Sequence, residues 1–308
     1  MLRPTSFADS RVVDMKLLIL GAQGQLGQEL AALCAERGIA ARLMTRLECD
    51  ISNLSQIQAA IEDASPSVVI NAAAYTKVDQ AEKEVGLAQL ANRDGPAMLA
   101  QASAEFGIPL IHVSTDYVFD GSKPSAYIET DPVAPLGVYG LSKEAGERAI
   151  RSVQDRHIIV RTAWVYGIHG RNFLKTMLDL AATREGWGVV SDQVGNPTAT
   201  ADLAEALLMA AAKTYGSDTC WGTYHFAGQG DATWFEFAEE IVASQVAFTG
   251  KRPALKAITS EEFPTPARRP RNSRLNSDLF ASVFGVRALP WRARTRSIVE
   301  TIFARRRG

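Results

Sequence analysis

The chain has 308 residues, 46% of them hydrophobic and 22% charged, with 33 Lys and Arg against 34 Asp and Glu for a formal net charge of −1. That length buries a core large enough for one big domain or two interleaved ones, and the balanced charge sets up no global field toward nucleic acid or an anionic membrane, so neither is expected as a partner. No run approaches the roughly 20 apolar residues that span a bilayer, and Cys34, Cys49 and Cys220 lack paired spacing, which favours a reducing, cytoplasmic setting over a disulfide framework.

Residues 1–14 carry Arg3, Asp9, Arg11 and Asp14 without a continuous apolar stretch, so they read as a loosely ordered N-terminal extension and not as a signal peptide or anchor. Lys16-Leu17-Leu18-Ile19-Leu20 is a short apolar run ending at glycine, and Leu26, Leu30 and Leu33 follow at helical spacing, which predicts strand, tight turn and helix over 16–37. Gly21, Gly24 and Gly27 fall in that turn. Gly21 allows the bend, Gly24 lets the backbone approach a pyrophosphate, and Gly27 permits close packing of helix on strand. With Gln25 and Leu26 they form a predicted dinucleotide cradle, where the helix N-terminus offers free amides and the positive dipole end. The spacing is Gly-x-x-Gly-x-x-Gly, and the strand and helix on either side give it its weight.

A second strand is predicted over 40–44, and its end reads Met44-Thr45-Arg46. An NAD-preferring enzyme usually places an acid there to accept from the ribose hydroxyls, whereas a guanidinium pairs with a ribose 2′-phosphate. Arg46 therefore points to NADPH, while the nearby Glu48 leaves NADH open. Asp50 and Ile51 follow on the expected adenine side. A third strand over 67–70 runs into Asn71-Ala72-Ala73-Ala74-Tyr75-Thr76, whose small side chains let the backbone of Ala73, Ala74, Tyr75 and Thr76 lie against the cofactor. Helices are predicted over 53–64 and 85–106. A fourth strand over 109–114 ends in Ser114-Thr115-Asp116-Tyr117, and ligands bind at such strand ends in open α/β sheets, so the Thr115 hydroxyl is a candidate to bond a substrate oxygen. His112, inside that strand, reads as a core histidine without a partner at a telling spacing.

Tyr139 and Lys143 are four residues apart in a helical segment and so share a face. A tyrosine has a pKa of about 10, and an ammonium close by favours the phenolate. Tyr139 is thus a candidate proton donor, with Lys143 tuning it and anchoring the nicotinamide ribose. A fifth strand over 157–161 follows. Beyond it come helices over 173–183 and 200–213, a strand over 222–226, a helix over 234–247, a proline- and arginine-rich stretch over 263–275, an amphipathic segment over 294–304, and a solvated Arg305-Arg306-Arg307. The alternation predicts an α/β fold, a Rossmann-type doubly wound parallel sheet over 15–165. The remainder, 166–308, is expected to form mainly a smaller C-terminal substrate-binding lobe, with some segments returning to the Rossmann domain.

These residues resemble the extended short-chain dehydrogenase/reductase superfamily, and within it the reductases that act on dTDP-4-dehydro-L-rhamnose. The similarity runs from Met15 to about Phe303 and is carried by Gly24-Gln25-Leu26-Gly27, the Asn71 to Thr76 and Ser114 to Gly121 stretches, Arg161-Thr162-Ala163-Trp164-Val165-Tyr166 and the Pro264 to Leu275 stretch. The resemblance implies hydride transfer to C4 of a dTDP-deoxysugar, a precursor of cell-surface polysaccharide. It gives Thr115, Tyr139 and Lys143 catalytic roles, lines the sugar pocket with Asp116 and Trp164, and makes Arg268 and Arg269 candidates for the diphosphate, which guanidinium groups bind through paired hydrogen bonds. Some members hold Mg²⁺ between the glutamates of two subunits. The matching positions here are Glu29, Ala201 and Glu300; alanine cannot ligate a metal, so no metal ligand is assigned, and both Mg²⁺ and a homodimer stay open. The alternatives are a related nucleotide-sugar reductase or epimerase, and a non-catalytic cofactor-binding regulatory subunit.

Overall fold

Six short apolar stretches form one parallel sheet in the computed structural model, which describes residues 15–216 and 219–307. The strands are β1 (Lys16–Leu20), β2 (Ala40–Met44), β3 (Val68–Asn71), β4 (Leu110–Thr115), β5 (His157–Thr162) and β6 (Gly222–His225). They lie in the order β6-β5-β4-β3-β1-β2, and every pairing is parallel. Val68, Val69, Ile70, Leu110 and Ile111 have no exposed surface, because helices cover both faces and the inner strands must be apolar on both sides. At the edge, β2 is only partly buried and its side chains alternate. The N-terminal extension expected over 1–14 lies outside the described residues.

The helices are α1 (Gln25–Arg37), α2 (Leu54–Ala64), α3 (Gly95–Glu105), α4 (Val138–Val153), α5 (Phe173–Thr183), α6 (Thr200–Gly216), α7 (Trp234–Thr249), α8 (Asp278–Phe284) and α9 (Trp291–Arg307), with short helical turns between some of them. On one face Leu26 and Leu30 of α1, Leu203 and Leu207 of α6 and Phe280 of α8 pack against Leu17, Ile19 and Ile158. On the other, Ile57 of α2, Leu99 of α3 and Ile150 of α4 pack against Leu18, Val69 and Ile159. A separate cluster of Tyr166, Leu174, Phe237, Trp291 and Val299 joins α5, α7 and α9 away from the sheet. Among the described residues no helix is long and apolar enough to cross a membrane.

One expected element breaks up. The sequence predicts a single helix over 85–106, but a π-helical turn at Leu90–Asp94 separates Val85–Gln89 from α3. Pro96 has no N–H, so the Asn92 carbonyl loses its helical donor and the ladder shifts register. The turn carries Asn92 inward, fully buried, where its amide accepts from Tyr75 N at 2.8 Å and donates to Tyr75 O and Ser142 Oγ at 3.0 Å.

The strand order reverses between β1 and β3: from β1 the chain crosses to β2 on one side, then returns past β1 to build β3, β4, β5 and β6 on the other. Ligands of open α/β sheets bind in the crevice at such a switch point, outside the C-terminal strand ends. Here those ends lead into Gly21 and Ala72.

Candidate active site

Gly21 leaves β1 at φ +87°, and a Cβ there would lie 2.6 Å from Ala73 N. The chain then turns, with Gly24 N donating to Gly21 O at 2.9 Å, and α1 starts from Gly24 with no side-chain cap and no acid in its first turn. Its leading amides therefore face outward without side-chain partners. They open onto a cavity of about 1050 Å³ lined by Gly21, Gly24, Gln25 and Leu26. Gly27 does not line it. A Cβ there would sit 2.2 Å from Gly21 O, so Gly27 serves the seating of α1 on the turn.

Arg46, Asp50, Ile51, Ala73, Ala74, Tyr75 and Thr76 line the same cavity. The Arg46 side chain is 73% exposed and its Nε donates to Asp50 Oδ2 at 3.2 Å. Glu48 is turned back, accepting from Thr45 N at 2.8 Å, and that bond holds its carboxyl below the ordinary range. At the end of β2 a cation, not an acid, lines the cavity.

Thr115, Asp116, Tyr139, Lys143 and Trp164 line the same cavity. The Thr115 hydroxyl donates to Asp116 Oδ1 at 2.9 Å and accepts from Tyr117 N at 3.2 Å. Burial pushes the Asp116 carboxyl up to about 6, with the nearby Ser273 hydroxyl and then the Thr115 hydroxyl opposing the shift, and its Oδ2 is buried without a partner at hydrogen-bonding geometry. Burial also raises the Tyr139 hydroxyl above its ordinary range, the neighbouring Thr115 hydroxyl opposing the shift. Lys143 was expected to draw Tyr139 the other way. Instead its ammonium position is committed elsewhere: Nζ donates to Val113 O at 2.7 Å and lies 3.0 Å from His112 Nε2. Burial lowers Lys143 to about 8, with Glu147 opposing.

Trp164 adopts φ +48°, unusual for a residue with a side chain. Its ring stacks on Trp234 with centroids 3.6 Å apart and planes at 6°, and Nε1 donates to Ser273 Oγ at 3.1 Å. Gly195 makes the position possible, since a Cβ there would come within 2.4 Å of the indole. Phe173 packs on Trp234 at 4.6 Å, and both line the cavity. Sequence reasoning read these two only as the starts of helices; the one signal was that each follows a capping residue, Asn172 and Thr233.

The two arginines expected at a diphosphate part company. Arg269 lines the cavity, with its guanidinium 2.8 Å from Asp79 Oδ2 and donating to Tyr117 Oη at 3.3 Å. Arg268 is exposed and outside the lining, while Ala267 before it and Pro270 after Arg269 are buried. The sequence reading also gave no role to His112, which the fold puts in contact with Lys143.

The RmlD substrate binding domain model matches residues 15–303. The chain is 41% identical over 287 residues to the dTDP-4-dehydrorhamnose reductase of Sinorhizobium fredii (strain NBRC 101917 / NGR234), covering 92% of this chain and 97% of that one. It is 43% identical over 289 residues to the dTDP-4-dehydrorhamnose reductase of Aggregatibacter actinomycetemcomitans, covering 92% and 98%. Among solved structures it is similar to the dTDP-4-dehydrorhamnose reductase of Bacillus anthracis str. Ames in complex with NADP, with a TM-score of 0.86 and 36% identity over 93% of this chain and 99% of that one.

Proposed function

The chain belongs to the RmlD substrate binding domain family and is an NAD(P)-dependent oxidoreductase of dTDP-rhamnose biosynthesis, and from that premise we propose that it reduces the C4 ketone of dTDP-4-dehydro-L-rhamnose to dTDP-L-rhamnose with NADPH. The observation that carries this reading is the convergence of Thr115, Asp116, Tyr139 and Trp164 on the cavity into which the glycine turn opens.

The residues present suit a nicotinamide dinucleotide. At Gly24 an added Cβ would meet only Gly21 O, at 3.2 Å, so bare backbone faces the cavity beside the uncapped amides of α1. Gly24, Gln25 and Leu26 would hold the pyrophosphate, Arg46 the 2′-phosphate, Asp50 and Ile51 the adenosine end, and Ala73, Ala74, Tyr75, Thr76 and Lys143 the remainder, with Gly21 and Gly27 shaping the turn. When bound, the nicotinamide supplies the hydride. Tyr139, kept protonated by burial, donates its proton to the C4 oxygen as charge develops there. The Thr115 hydroxyl turns its one hydrogen from Asp116 to that oxygen, and Lys143, four residues along the same helix, in its ammonium form favours the phenolate that remains. The free Oδ2 of Asp116 accepts from a sugar hydroxyl, the Trp164–Trp234 stack offers a flat apolar wall to the deoxysugar, and Arg269 pairs with the diphosphate. In this division residues 15–165 bind the cofactor and 166–308 mainly the substrate, while α6, β6 and α8 serve the sheet. The reaction takes place in the cytoplasm.

A divalent cation does not suit the place to which the resemblance points, at Glu29, Ala201 and Glu300. Glu29 accepts from the Thr200 hydroxyl at 2.9 Å, and the Asp202 carboxylate beside it is held by Arg294.

The test is to follow NADPH and NADH consumption with dTDP-4-dehydro-L-rhamnose and with other keto-sugar nucleotides. Turnover of another sugar in preference to this one overturns the substrate. Tyr139→Phe is expected to lower kcat by about 10²–10⁴ while NADPH still binds; unchanged turnover removes Tyr139 as proton donor.

A further inference from the structure

His112 is fully buried in β4, and its two ring nitrogens have different partners. Nε2 lies 3.0 Å from Lys143 Nζ, and Nδ1 lies 3.0 Å from Nδ2 of Asn71, itself fully buried at the end of β3. Asn71 cannot turn over freely. Its Oδ1 accepts from Ala73 N at 3.0 Å, and a backbone N–H bonds only to an acceptor, so the NH₂ end must face the histidine. Nδ1 is then an acceptor. A neutral imidazole has one acceptor and one donor nitrogen, so the ring hydrogen sits on Nε2 and is aimed at Lys143. An ammonium has three donors and no lone pair; an amine has a lone pair. The contact closes as a hydrogen bond only when Nζ is the acceptor, while one of its own hydrogens goes to Val113 O.

We propose that His112 is a positioning residue for the reduction: its tautomer, locked by Asn71 and the Ala73 amide, donates Nε2–H to Lys143 and favours the amine, so that Lys143 readily returns a proton to Tyr139. The inference rests on the roles of Tyr139 and Lys143 proposed above. The step balances: the Tyr139 phenolate left after protonation of the C4 oxygen takes a proton from the Lys143 ammonium, giving phenol and amine, and the amine is stabilised by the His112 N–H. Lys143 lines the cavity and regains its proton from solvent water reaching it there, which leaves hydroxide to the buffer.

The other groups around Lys143 do not replace this contact. On α4, Tyr139 and Glu147 lie one turn to either side. Glu147 favours the ammonium, but its carboxylate is shared among Arg161, Arg151 and Ser114. β4 brings Asp116 at its end, bonded to Thr115, and β5 brings Arg161, paired with Glu147.

Two measurements on the full chain decide it. The ¹⁵N ring shifts of His112, recorded in labelled protein without substrate at about pH 9, are expected to report the neutral Nε2–H form. An Nδ1–H ring or an imidazolium overturns the proposal. Asn71→Asp offers a carboxylate to Nδ1 and is expected to switch the ring to Nδ1–H; an unchanged ring overturns the lock. In kinetics, His112→Gln frees an amide oxygen to accept from the ammonium, so the alkaline limb of kcat is expected to move up by about one pH unit. A change in Tm with the limb unmoved reduces His112 to packing and sinks the idea. Because the ring is read without turnover, the tautomer stands or falls separately from the choice of sugar nucleotide.

Discussion

Asp116 is 2% exposed, and burial holds its carboxyl at about 6 instead of 3.8. A folded state that keeps a proton the unfolded chain has released gains stability at low pH: the contribution is complete below about 4 and is lost as pH rises through about 6. Asp116→Asn removes the titration, so its stability relative to the parent should climb from pH 4.5 to 7.5 by on the order of 2 kcal/mol. Urea unfolding at both pH values measures this, and a constant difference counts against an acid that stays protonated. Arg46 lines the cavity beside the glycine turn. With its side chain mostly in solvent and Asp50 as a light partner, it is available to a 2′-phosphate, and Arg46→Ala should raise KM for NADPH about tenfold and leave NADH alone. Equal effects on both donors would mean that Arg46 reads no 2′-phosphate. Arg46 was legible because it stands at a fixed place after a strand. His112 was not, because its chemistry comes from Asn71 and Lys143, which other elements supply.

At the scale of elements, β1, the glycine turn and α1 form the unit most fully written in the local sequence. The apolar run, the glycines and the helical spacing are all contiguous, and the backbone contacts they predict are present. The unit has almost no slack. Gly27→Ala puts a methyl 2.2 Å from Gly21 O, and overpacking of this kind costs about 1–3 kcal/mol. The variant should lose Tm and, because the first-turn amides shift with the helix, lose NADPH binding as well. A shifted Tm with undiminished NADPH affinity would separate the amides of α1 from the pyrophosphate. The helix expected over 85–106 shows the opposite case. Its periodicity continued across Leu90–Asp94, but Pro96 and the inward turn of Asn92 open a π turn there, driven by partners at Tyr75 and Ser142 that periodicity does not register.

Over the whole molecule, the strap from 263 to 275 ties the two halves together across the cavity. Arg269 reaches Asp79 and Tyr117 on the sheet side, Asn272 donates to Lys123 O and Ser125 O, and Arg274 pairs with Asp231 on the lobe side. A substrate diphosphate at Arg269 competes with Asp79, so Arg269→Ala should raise KM for the dTDP-sugar about tenfold with kcat little changed; an unaltered KM would free Arg269 from that assignment. By itself the sequence determined the parallel α/β class, the glycine turn between β1 and α1, the end of β4 at Thr115 and the placement of Tyr139 and Lys143 one turn apart on α4, because each depends on residues close along the chain and on a fixed periodicity. Only the tertiary structure decided that Arg269 and not Arg268 meets the cavity, that Trp164 lies on Trp234, and that Lys143 rests on His112. Those contacts join residues distant in sequence, and they depend on strand order and on which side of an irregular segment is buried, which local patterns of hydrophobicity and spacing do not specify.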